Sequence, residues 1–338
     1  MSDTMPKTLV NTTFSLVSSR LTLALCAMGA MGLLFAACNG GNDEKYNDGP
    51  TYGNIRIAVD ETYAPIIDSQ LIVFHASYPN AHITVKYESE AEAINDLLAD
   101  SVRLAIVSHP LTEAQLAPFR KQGYTPKTLG VAIDAVAVVT NPANPVEEMT
   151  YETLAAYTSG ASTAWQKPFA GSGKVQLVFD NSNSSTVHYI VDTLNGGKPL
   201  APHTAATKKN TEVLEFVAHN PNALGFIGVN WISDPEDTTR LSFLKKVNVL
   251  ALHPAQGKTG YGEAFQPLQY HIARKLYPLT RPVYAINREA RAGLGTGFQS
   301  FLAGQRGQLI FYQGGLVPGQ VNLRVKRDIT ITHKPVNK

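Results

Sequence analysis

The stretch DNSNSST, residues 180 to 186, places a run of amide and hydroxyl side chains between a strand-like segment, VQLVF, and an apolar, helix-like segment. Capping a helix and forming a turn require only one or two such residues. A longer run exceeds that need, and hydroxyls, amides and a helix N-terminus can together hold an oxyanion. The run is therefore a candidate ligand-binding loop, with helix capping alone as the alternative; it comprises Asn181, Ser182, Asn183, Ser184, Ser185 and Thr186.

Polar residues also follow three earlier strand-like segments, in VDETYAP, YESEAE and VSHPLT. In an open parallel sheet, ligands bind beyond the carboxyl ends of the strands, so these junctions are further candidates. Ser89 stands three residues before Glu92, a spacing that a helix-capping box alone would explain. His109 precedes Pro110 at a strand end, where a pocket position and an ordinary surface position both remain open.

Catalytic, metal and cofactor motifs are not recognisable in the sequence. GKTG, residues 257 to 260, lacks the earlier glycine of a phosphate-binding loop, and GLGTG, residues 293 to 297, does not follow a strand with nucleotide-fold spacing. No G-x-S-x-G elbow occurs, and the nine histidines have no metal-ligand spacing. Glu88, Glu90 and Glu92 alternate and would not share one face of a helix. The sequence therefore predicts a binding protein, with no cofactor, no metal and no catalytic residues.

The elements that position these residues alternate in type. Three segments are typical of strands: IRIAV, HITVKY and LAIVS. The stretches after the first two have apolar residues at helical spacing, and the stretch after the third begins with a capping box, so each could form a helix. Such units predict an α/β fold with a parallel sheet and helices on both faces. Asn-Pro breaks interrupt this pattern after VAIDAVAVV, and the segment from there to about Gln266 has helices and strands of its own. A length of 338 residues agrees with two domains.

The first residues are typical of an export signal. Lys7 and Arg20 precede an apolar run, Leu21 to Ala37, that ends in small residues before Cys38. A membrane-spanning anchor is the alternative, but the run is short for a span and no basic stop signal follows it. We therefore predict a signal peptide over residues 1–37 and, because residues 38–53 are polar and glycine-bearing, a flexible tether after it.

The end of that run, LLFAAC, resembles the lipobox of bacterial lipoproteins, with Phe35 where the pattern usually has leucine. The resemblance implies cleavage before Cys38 and a lipid on its thiol, so the protein would be anchored to a membrane and face the periplasm or the exterior. A formal net charge of +2 without any Lys/Arg block argues against a nucleic-acid partner. An apolar fraction of 44% with 17% charged residues is ordinary for a globular protein.

The body of the chain resembles the solute-binding lipoproteins of phosphate ABC transporters, the Pst-type periplasmic phosphate-binding family. The resemblance spans most of the chain beyond the signal and keeps the family's order of motifs. The stretches that carry it are DAVAVVTNPANPVEEMTYETLAAYTSGASTAW (134–165), ALGFIGVNWIS (223–233), YPLTRPVYAINRE (277–289) and FLAGQRGQLIFYQGGLVP (301–318).

This resemblance implies a two-lobed periplasmic-binding-protein-like fold with a two-stranded hinge. The first lobe would comprise residues 54–139 completed by 268–338, and the second lobe residues 140–267. The crossovers would then lie near Thr140 and near Gln266 to Ala273.

The family's ligand-binding residues carry over only in part. Ser184 and Thr186 match the hydroxyls of its second-lobe Ser-Gly-Thr motif, with Ser185 in place of the glycine and Asp180 where the phosphate-pairing arginine belongs. In the first lobe, Thr62 matches a hydroxyl at a helix start. Ser108 and His109 are also implied to bind the ligand, with His109 standing where the family has aspartate. Ser89 is the last implied ligand-binding residue, and it stands in place of a Gly-Ser-Gly loop. Glu90 or Asp180 could accept a proton from the oxyanion, and His109 could supply positive charge.

By the same resemblance, the protein would be a monomer that delivers phosphate or a related oxyanion to a membrane permease. Two alternatives remain open. The first is a surface lipoprotein that uses the fold for another small solute, for sensing or for protein interaction. The second is a hydrolase of phosphate esters.

Overall fold

The computed structural model describes residues 48–202, 204–232 and 246–320. The predicted signal peptide, residues 38–47 of the predicted tether and Cys38, the predicted site of the lipid, therefore lie outside the described residues. Across the described ranges, no helix has the length and apolar character needed to cross a bilayer.

The first part of the chain forms the predicted strand–helix units. Strand β1 (Gly53–Asp60) lies between β2 (Ala81–Glu88) and β3 (Leu104–Val107), and both neighbours are parallel to it. Helices α1 (Ala64–Ser77), α2 (Glu90–Leu98) and α3 (Glu113–Lys121) follow these three strands in turn. A capping box begins each of the last two helices, at Ser89 and at Thr112, as the sequence indicates.

A long strand, β4 (Lys127–Thr140), connects the two lobes of the molecule. Residues 127–135 of β4 pair with β11 (Thr280–Asn287), and residues 136–140 pair with β8 (Ala223–Gly228). Both pairings are antiparallel, so the sheet is mixed. The prediction of a parallel sheet was wrong at these strands. The reason is that β11 enters the sheet from the C-terminal part of the chain instead of through a strand–helix crossover.

The second lobe continues this sheet. Strand β6 (Gln176–Phe179) runs parallel to both β8 and β7 (Ala205–Ala206), which gives an overall order of β2-β1-β3-β11-β4-β8-β6-β7. Its helices are α4 (Tyr151–Ser159), α5 (Ser185–Leu194) and α6 (Asn210–His219). Three short strands complete the lobe: β5 (Glu148–Thr150) pairs with β10 (Ala251–His253), and β9 (Asn248–Val249) pairs with the end of β4.

The chain returns to the first lobe through a short helix, α7 (Gln269–Ala273), and the segment before β11. There the Val136 N–H donates to the Leu279 carbonyl at 2.9 Å, and the Tyr277 hydroxyl donates to the Val136 carbonyl at 2.8 Å. The two crossing segments are thus held side by side where β4 changes its strand partner. This point lies a few residues before Thr140 and a few residues after Ala273, the two predicted crossover positions. The predicted lobe boundaries stay predictions.

Among the described residues, three apolar clusters form the core. One fills the second lobe, where the rings of Phe179 and Phe226 stack with centroids 4.4 Å apart. The other two cover opposite faces of the first-lobe sheet, one around Phe74 and Phe298 and the other around Phe119. Helices therefore cover both sheet faces, as predicted, and the mixed α/β sheet has the two-lobed architecture expected of a periplasmic binding protein.

The C-terminal helices α8 (Leu294–Ala303) and α9 (Gln305–Gln313) pack on the first lobe, followed by the short strand β12 (Val317–Pro318), which pairs with β4. Asp48 is bound to the start of α8, because its carboxylate accepts the Leu294 N–H at 2.8 Å and pairs with Arg291. The first described residue, Asp48, is therefore already in contact with this lobe.

Candidate ligand-binding site between the lobes

The carboxyl ends of β1 and β6 meet where the two lobes touch. Asp60 ends β1 and accepts the Thr62 N–H at 3.1 Å, while the Thr62 hydroxyl donates to Asp180, just after β6, at 3.4 Å. On the second-lobe side, the Ser184 hydroxyl donates to the same Asp180 carboxylate at 2.6 Å. Asp60, Thr62, Asp180 and Ser184 are all buried. Thr62 and Ser184, matched independently by the resemblance, thus contact one carboxylate across the lobe boundary.

The polar loop before α5 divides into two parts. Asn183 is exposed, and its N–H donates to the Asn181 side chain at 2.8 Å, which is a local turn and not a position in the buried cluster. Ser184 caps α5 by accepting the Val187 N–H at 3.2 Å, so capping does take place. Ser185 and Thr186 are fully buried and point toward the first lobe, where a cation contacts them. The loop therefore caps its helix and also supplies groups to the interlobe cluster.

That cation is Arg281, which lies on β11 and is about 1% exposed. Its Nη1 donates to the Ser185 hydroxyl at 3.0 Å and to the Thr186 hydroxyl at 3.4 Å. Its Nε donates to Asp134 Oδ2 at 3.0 Å, and Nη2 lies 3.0 Å from the same oxygen without making a hydrogen bond to any described residue. The guanidinium also lies over the Tyr63 ring, 5.4 Å from its centroid.

No motif in the sequence marks Arg281 or Asp134 as site residues. The available signal was a charged residue inside each of two otherwise apolar strands, RPVYAIN and VAIDAVAVV, because a buried charge needs a partner. In the β4–β11 register, Arg281 stands opposite Asp134. The resemblance implies an arginine at position 180, whereas the guanidinium that the structure places at the lobe boundary is that of Arg281, from the first lobe.

Burial determines the protonation behaviour of the central carboxyl groups. Desolvation raises the pKa of Asp60 to about 6, and the negative charge of Glu90 adds to the effect. Desolvation likewise raises the pKa of Asp180 to about 6, although the Ser184 hydrogen bond opposes the shift. Burial also raises the pKa of Asp134, against the effect of Arg281. Asp60 and Asp180 can therefore each hold or release a proton near pH 6.

A second polar group lies at another edge of the lobe boundary, around Glu90 at the start of α2. Glu90 Oε1 accepts the Ser108 N–H at 2.5 Å and the His109 N–H at 3.2 Å, and its Oε2 lies 3.1 Å from His109 Nδ1. His188, on α5 of the other lobe, places its Nδ1 3.6 Å from the same Oε2. Burial alone would raise the pKa of Glu90, but hydrogen bonds from the two imidazoles outweigh it and lower that pKa to about 2.

Ser108 and Ser89 occupy different positions. The Ser108 hydroxyl is buried and bonds to the Tyr63 hydroxyl, next to Arg281. Ser89 completes its capping box, with its hydroxyl donating to Glu92 Oε2 at 2.7 Å, so capping explains it fully. It nevertheless lies on the wall of a pocket of about 520 Å³ that opens between the lobes and is also lined by Asp60, Asp180 and Ser184.

The structure thus brings together five of the eight predicted ligand-binding residues in one buried region: Thr62, Ser108, Ser184, Ser185 and Thr186. His109 is half exposed beside Glu90, Ser89 lies on the pocket wall, and Asn183 faces solvent. Within residues 48–202, 204–232 and 246–320, no group of three or more His, Cys, Asp or Glu residues is arranged to hold a metal ion. The binding roles of these residues stay predictions.

Comparisons with known proteins agree with this architecture. Residues 44–306 match the model of a family described as the PBP superfamily domain. A curated relative, the phosphate-binding protein PstS of Borreliella burgdorferi, is 24% identical over 271 residues, which is 78% of this chain and 89% of that protein. The protein of the same name from Staphylococcus aureus is 23% identical over 268 residues, with 78% of this chain and 77% of that one covered.

Solved structures give the same fold. A putative phosphate ABC transporter substrate-binding protein from Clostridium perfringens, with bound phosphate, superposes with a TM-score of 0.65 at 18% identity and covers 79% of this chain and 99% of its own. An ABC-type phosphate transport receptor from Vibrio cholerae gives a TM-score of 0.59 at 21% identity, with 79% and 100% covered. Since the family model spans most of the chain, this protein belongs to the PBP (periplasmic-binding-protein) superfamily, as a divergent relative of its Pst-type phosphate-binding proteins.

Proposed function

We propose that this protein is the extracytoplasmic solute-binding component of an ABC transporter and that it captures phosphate, or a related oxyanion, between its two lobes. The observation that carries the proposal is the buried cluster in which Thr62 of the first lobe and Ser184 of the second contact the same carboxylate. Donors from both lobes can reach one ligand only when the lobes are closed, which is the requirement for a receptor that signals its loaded state.

The donors for an oxyanion are available at this cluster. Arg281 Nη2 forms an ion pair with Asp134 Oδ2 at 3.0 Å but makes no hydrogen bond to a described residue, whereas Nε and Nη1 donate to Asp134, Ser185 and Thr186. The backbone N–H groups of Ser185 and Thr186 begin α5, where a helix leaves its first N–H groups without intrahelical partners. A guanidinium and a helix N-terminus are the groups that proteins commonly use to bind phosphate.

The two central carboxyl groups determine which protonation state of the ligand fits. Asp60 and Asp180 would repel a fully ionised oxyanion, but each carboxylate can accept a proton that the ligand donates. A protonated oxyanion such as dihydrogen phosphate therefore matches the site better than an anion without protons, such as sulfate. Asp180 then takes part as an acceptor, where the family has an arginine.

Binding is the whole function in this proposal, and no covalent step is required. The ligand would bridge the lobes, the hinge formed by β4 and the segment before β11 would close, and the closed form would dock on the permease. Cys38 would carry the lipid that anchors a monomeric protein to the membrane, through a tether that ends near residue 53. The named activities of the curated relatives support this role.

The test is isothermal calorimetry of the protein with phosphate and sulfate, comparing wild type with the double variant Ser184→Ala and Thr186→Ala. We expect phosphate to bind and the double variant to bind at least tenfold more weakly, since two hydroxyls at the cleft are lost. Near-wild-type thermal unfolding would confirm that the variant is folded. An unchanged affinity would mean that these hydroxyls only cap the helix, and no binding of either anion would refute the oxyanion assignment.

One observation favours a second candidate, a receptor for a different small solute. The pocket that opens between the lobes carries more carboxylates than cations, and Asp180 replaces the family's arginine. Calorimetry against neutral and cationic solutes, in parallel with the two anions, distinguishes this candidate from the first.

A further inference from the structure

Six of the fifteen residues that line the pocket of about 520 Å³ between the lobes are acidic. Two lysines, Lys208 and Lys209, also line it, and both are solvent-exposed. An excess of carboxylates in a partly closed cleft attracts positive charge, because the low-dielectric walls concentrate the field. The acidic residues on its surface are Asp60, Glu61, Asp68, Glu88, Glu92 and Asp180.

One carboxylate oxygen on this pocket wall, Glu88 Oε1, is buried and has no hydrogen-bond donor among the described residues. The Glu88 side chain is only 6% exposed, and its other oxygen lies 2.6 Å from Lys86 Nζ. Buried carboxylate oxygens are normally paired with a donor, so the unpaired Glu88 oxygen on this wall indicates a site for a donor that binds there.

An organic ammonium group matches this acidic wall better than a metal ion. A metal site needs several ligands converging on one point, and no such group of acidic residues and histidines is present in the described ranges. An ammonium group has three N–H donors, which can reach carboxylates on different parts of a wall. The pocket volume is sufficient for a small organic solute.

The hydroxyl side of the same pocket lies close by. Ser184 lines the pocket and directly precedes Ser185 and Thr186, which contact Arg281. One hydroxyl of the proposed oxyanion site, that of Ser184, therefore lines the same pocket as the acidic first-lobe wall.

We infer that the natural ligand carries an ammonium group as well as an oxyanion, and that it is an amine-bearing phosphate ester or phosphonate, with Glu88 and its neighbours on the first-lobe wall binding the ammonium group. This inference rests on the proposed function, because the oxyanion half of the ligand occupies the site described there. Burial raises the pKa of both Glu88 and Glu61, and a bound cation would offset that cost.

The test compares two ligands of nearly equal size, phosphoethanolamine and ethyl phosphate, which differ in the ammonium group. Calorimetry at neutral pH is expected to give phosphoethanolamine at least about tenfold tighter binding. The variant Glu88→Gln is expected to reduce this preference below about threefold. Asp68→Asn changes an exposed residue on the same wall and provides a second variant that should fold without difficulty. Glu113→Gln on α3, the same charge change at a salt-bridged surface position, is the matched control and should keep the preference.

The outcomes separate the two proposals. If phosphate and ethyl phosphate bind but phosphoethanolamine binds no more tightly, the ammonium site is refuted and the oxyanion receptor stands. If the preference exists but survives in both Glu88→Gln and Asp68→Asn, the first-lobe wall is not the ammonium site and the inference is wrong. If ethanolamine binds while none of the phosphates does, or if no ligand binds, the oxyanion function fails and the inference fails with it.

Discussion

The contact of His188 with Glu90 predicts that closure of the lobes depends on pH. Glu90 is on α2 of the first lobe and His188 is on α5 of the second, with 3.6 Å between Oε2 and Nδ1. A protonated imidazole therefore stabilises the closed arrangement, and a neutral one does so much less. Replacing His188 by Asn removes the titrating group and keeps a polar side chain of similar reach.

The magnitude follows from the geometry. Two unit charges at this distance would attract by about 5 kcal/mol at an effective dielectric constant of about 20. The His188 side chain is 44% exposed, however, so solvent screening reduces the value toward that of measured surface pairs. Since the Glu90 side chain is only 2% exposed, we expect a value near the upper end of that range, about 1 kcal/mol.

The direction with pH is determined by the raised pKa of His188. The Glu90 hydrogen bond raises this pKa above 6.5, desolvation opposes the shift, and Asp192 and Asp60 add to it. The folded state therefore binds the proton more tightly than the unfolded state does. The stabilisation is fully present below pH 6.5 and is lost as the pH rises through the raised value. His109 shares the carboxylate, and its pKa is also raised mainly by Glu90, with desolvation and, more weakly, Arg281 opposing the shift.

The assay is urea unfolding of wild type and His188→Asn at pH 6 and pH 9. We expect the free energy of unfolding to differ by about 1 kcal/mol at pH 6 and by close to zero at pH 9. In a Glu90→Gln background, the same substitution should have little effect at either pH. His219→Asn, which removes an imidazole on α6 outside the cleft, is the control. An equal difference at both pH values would refute the electrostatic reasoning and leave only a packing role for His188.

Two further predictions concern the cleft. Gly228→Ala should weaken ligand binding by about tenfold and shift small-angle scattering toward an open form, because an added Cβ would lie 2.7 Å from Thr62 Cγ2 across the lobe boundary, and overpacking costs about 1–3 kcal/mol. Gly130→Ala, with its nearest atom at 3.7 Å, is the control, and equal effects of the two variants would contradict this reasoning. Asp180 should make the wild-type free energy of unfolding fall by about 2 kcal/mol as the pH rises from about 4 to about 6, because its raised pKa of about 6 makes the folded state bind an extra proton in that range. Asp180→Asn should remove this contribution. Urea unfolding over that range measures it, and an unchanged slope would mean that Asp180 ionises normally.

The sequence alone was sufficient for the local structure. Short apolar strand-like segments placed β1, β2 and β3, helical spacing placed α1 and α2, and the capping boxes at Ser89 and Thr112 marked helix starts correctly. These features depend on residues within a few positions of each other, so they can be read from a single segment. The quoted motifs also identified the two-lobed fold, which the family match confirms.

The mixed sheet and the inner face of the site depended on tertiary structure. Arg281 and Asp134 are far apart in the chain and meet only because β11 lies antiparallel to β4 in one register. A one-residue slip would turn either side chain to the other face of the sheet, and no local pattern determines that register. The sequence therefore could not place the guanidinium at the cleft.

The polar loop after β6 illustrates the same limit. Its composition predicted a binding loop, and Ser184, Ser185 and Thr186 do lie in the buried cluster, but Asn183 turns outward in a local hydrogen bond. The sequence by itself determined which residue types stand at the strand ends. Only the packing of one lobe against the other decided which of them lose contact with water, because burial depends on surfaces that distant segments contribute.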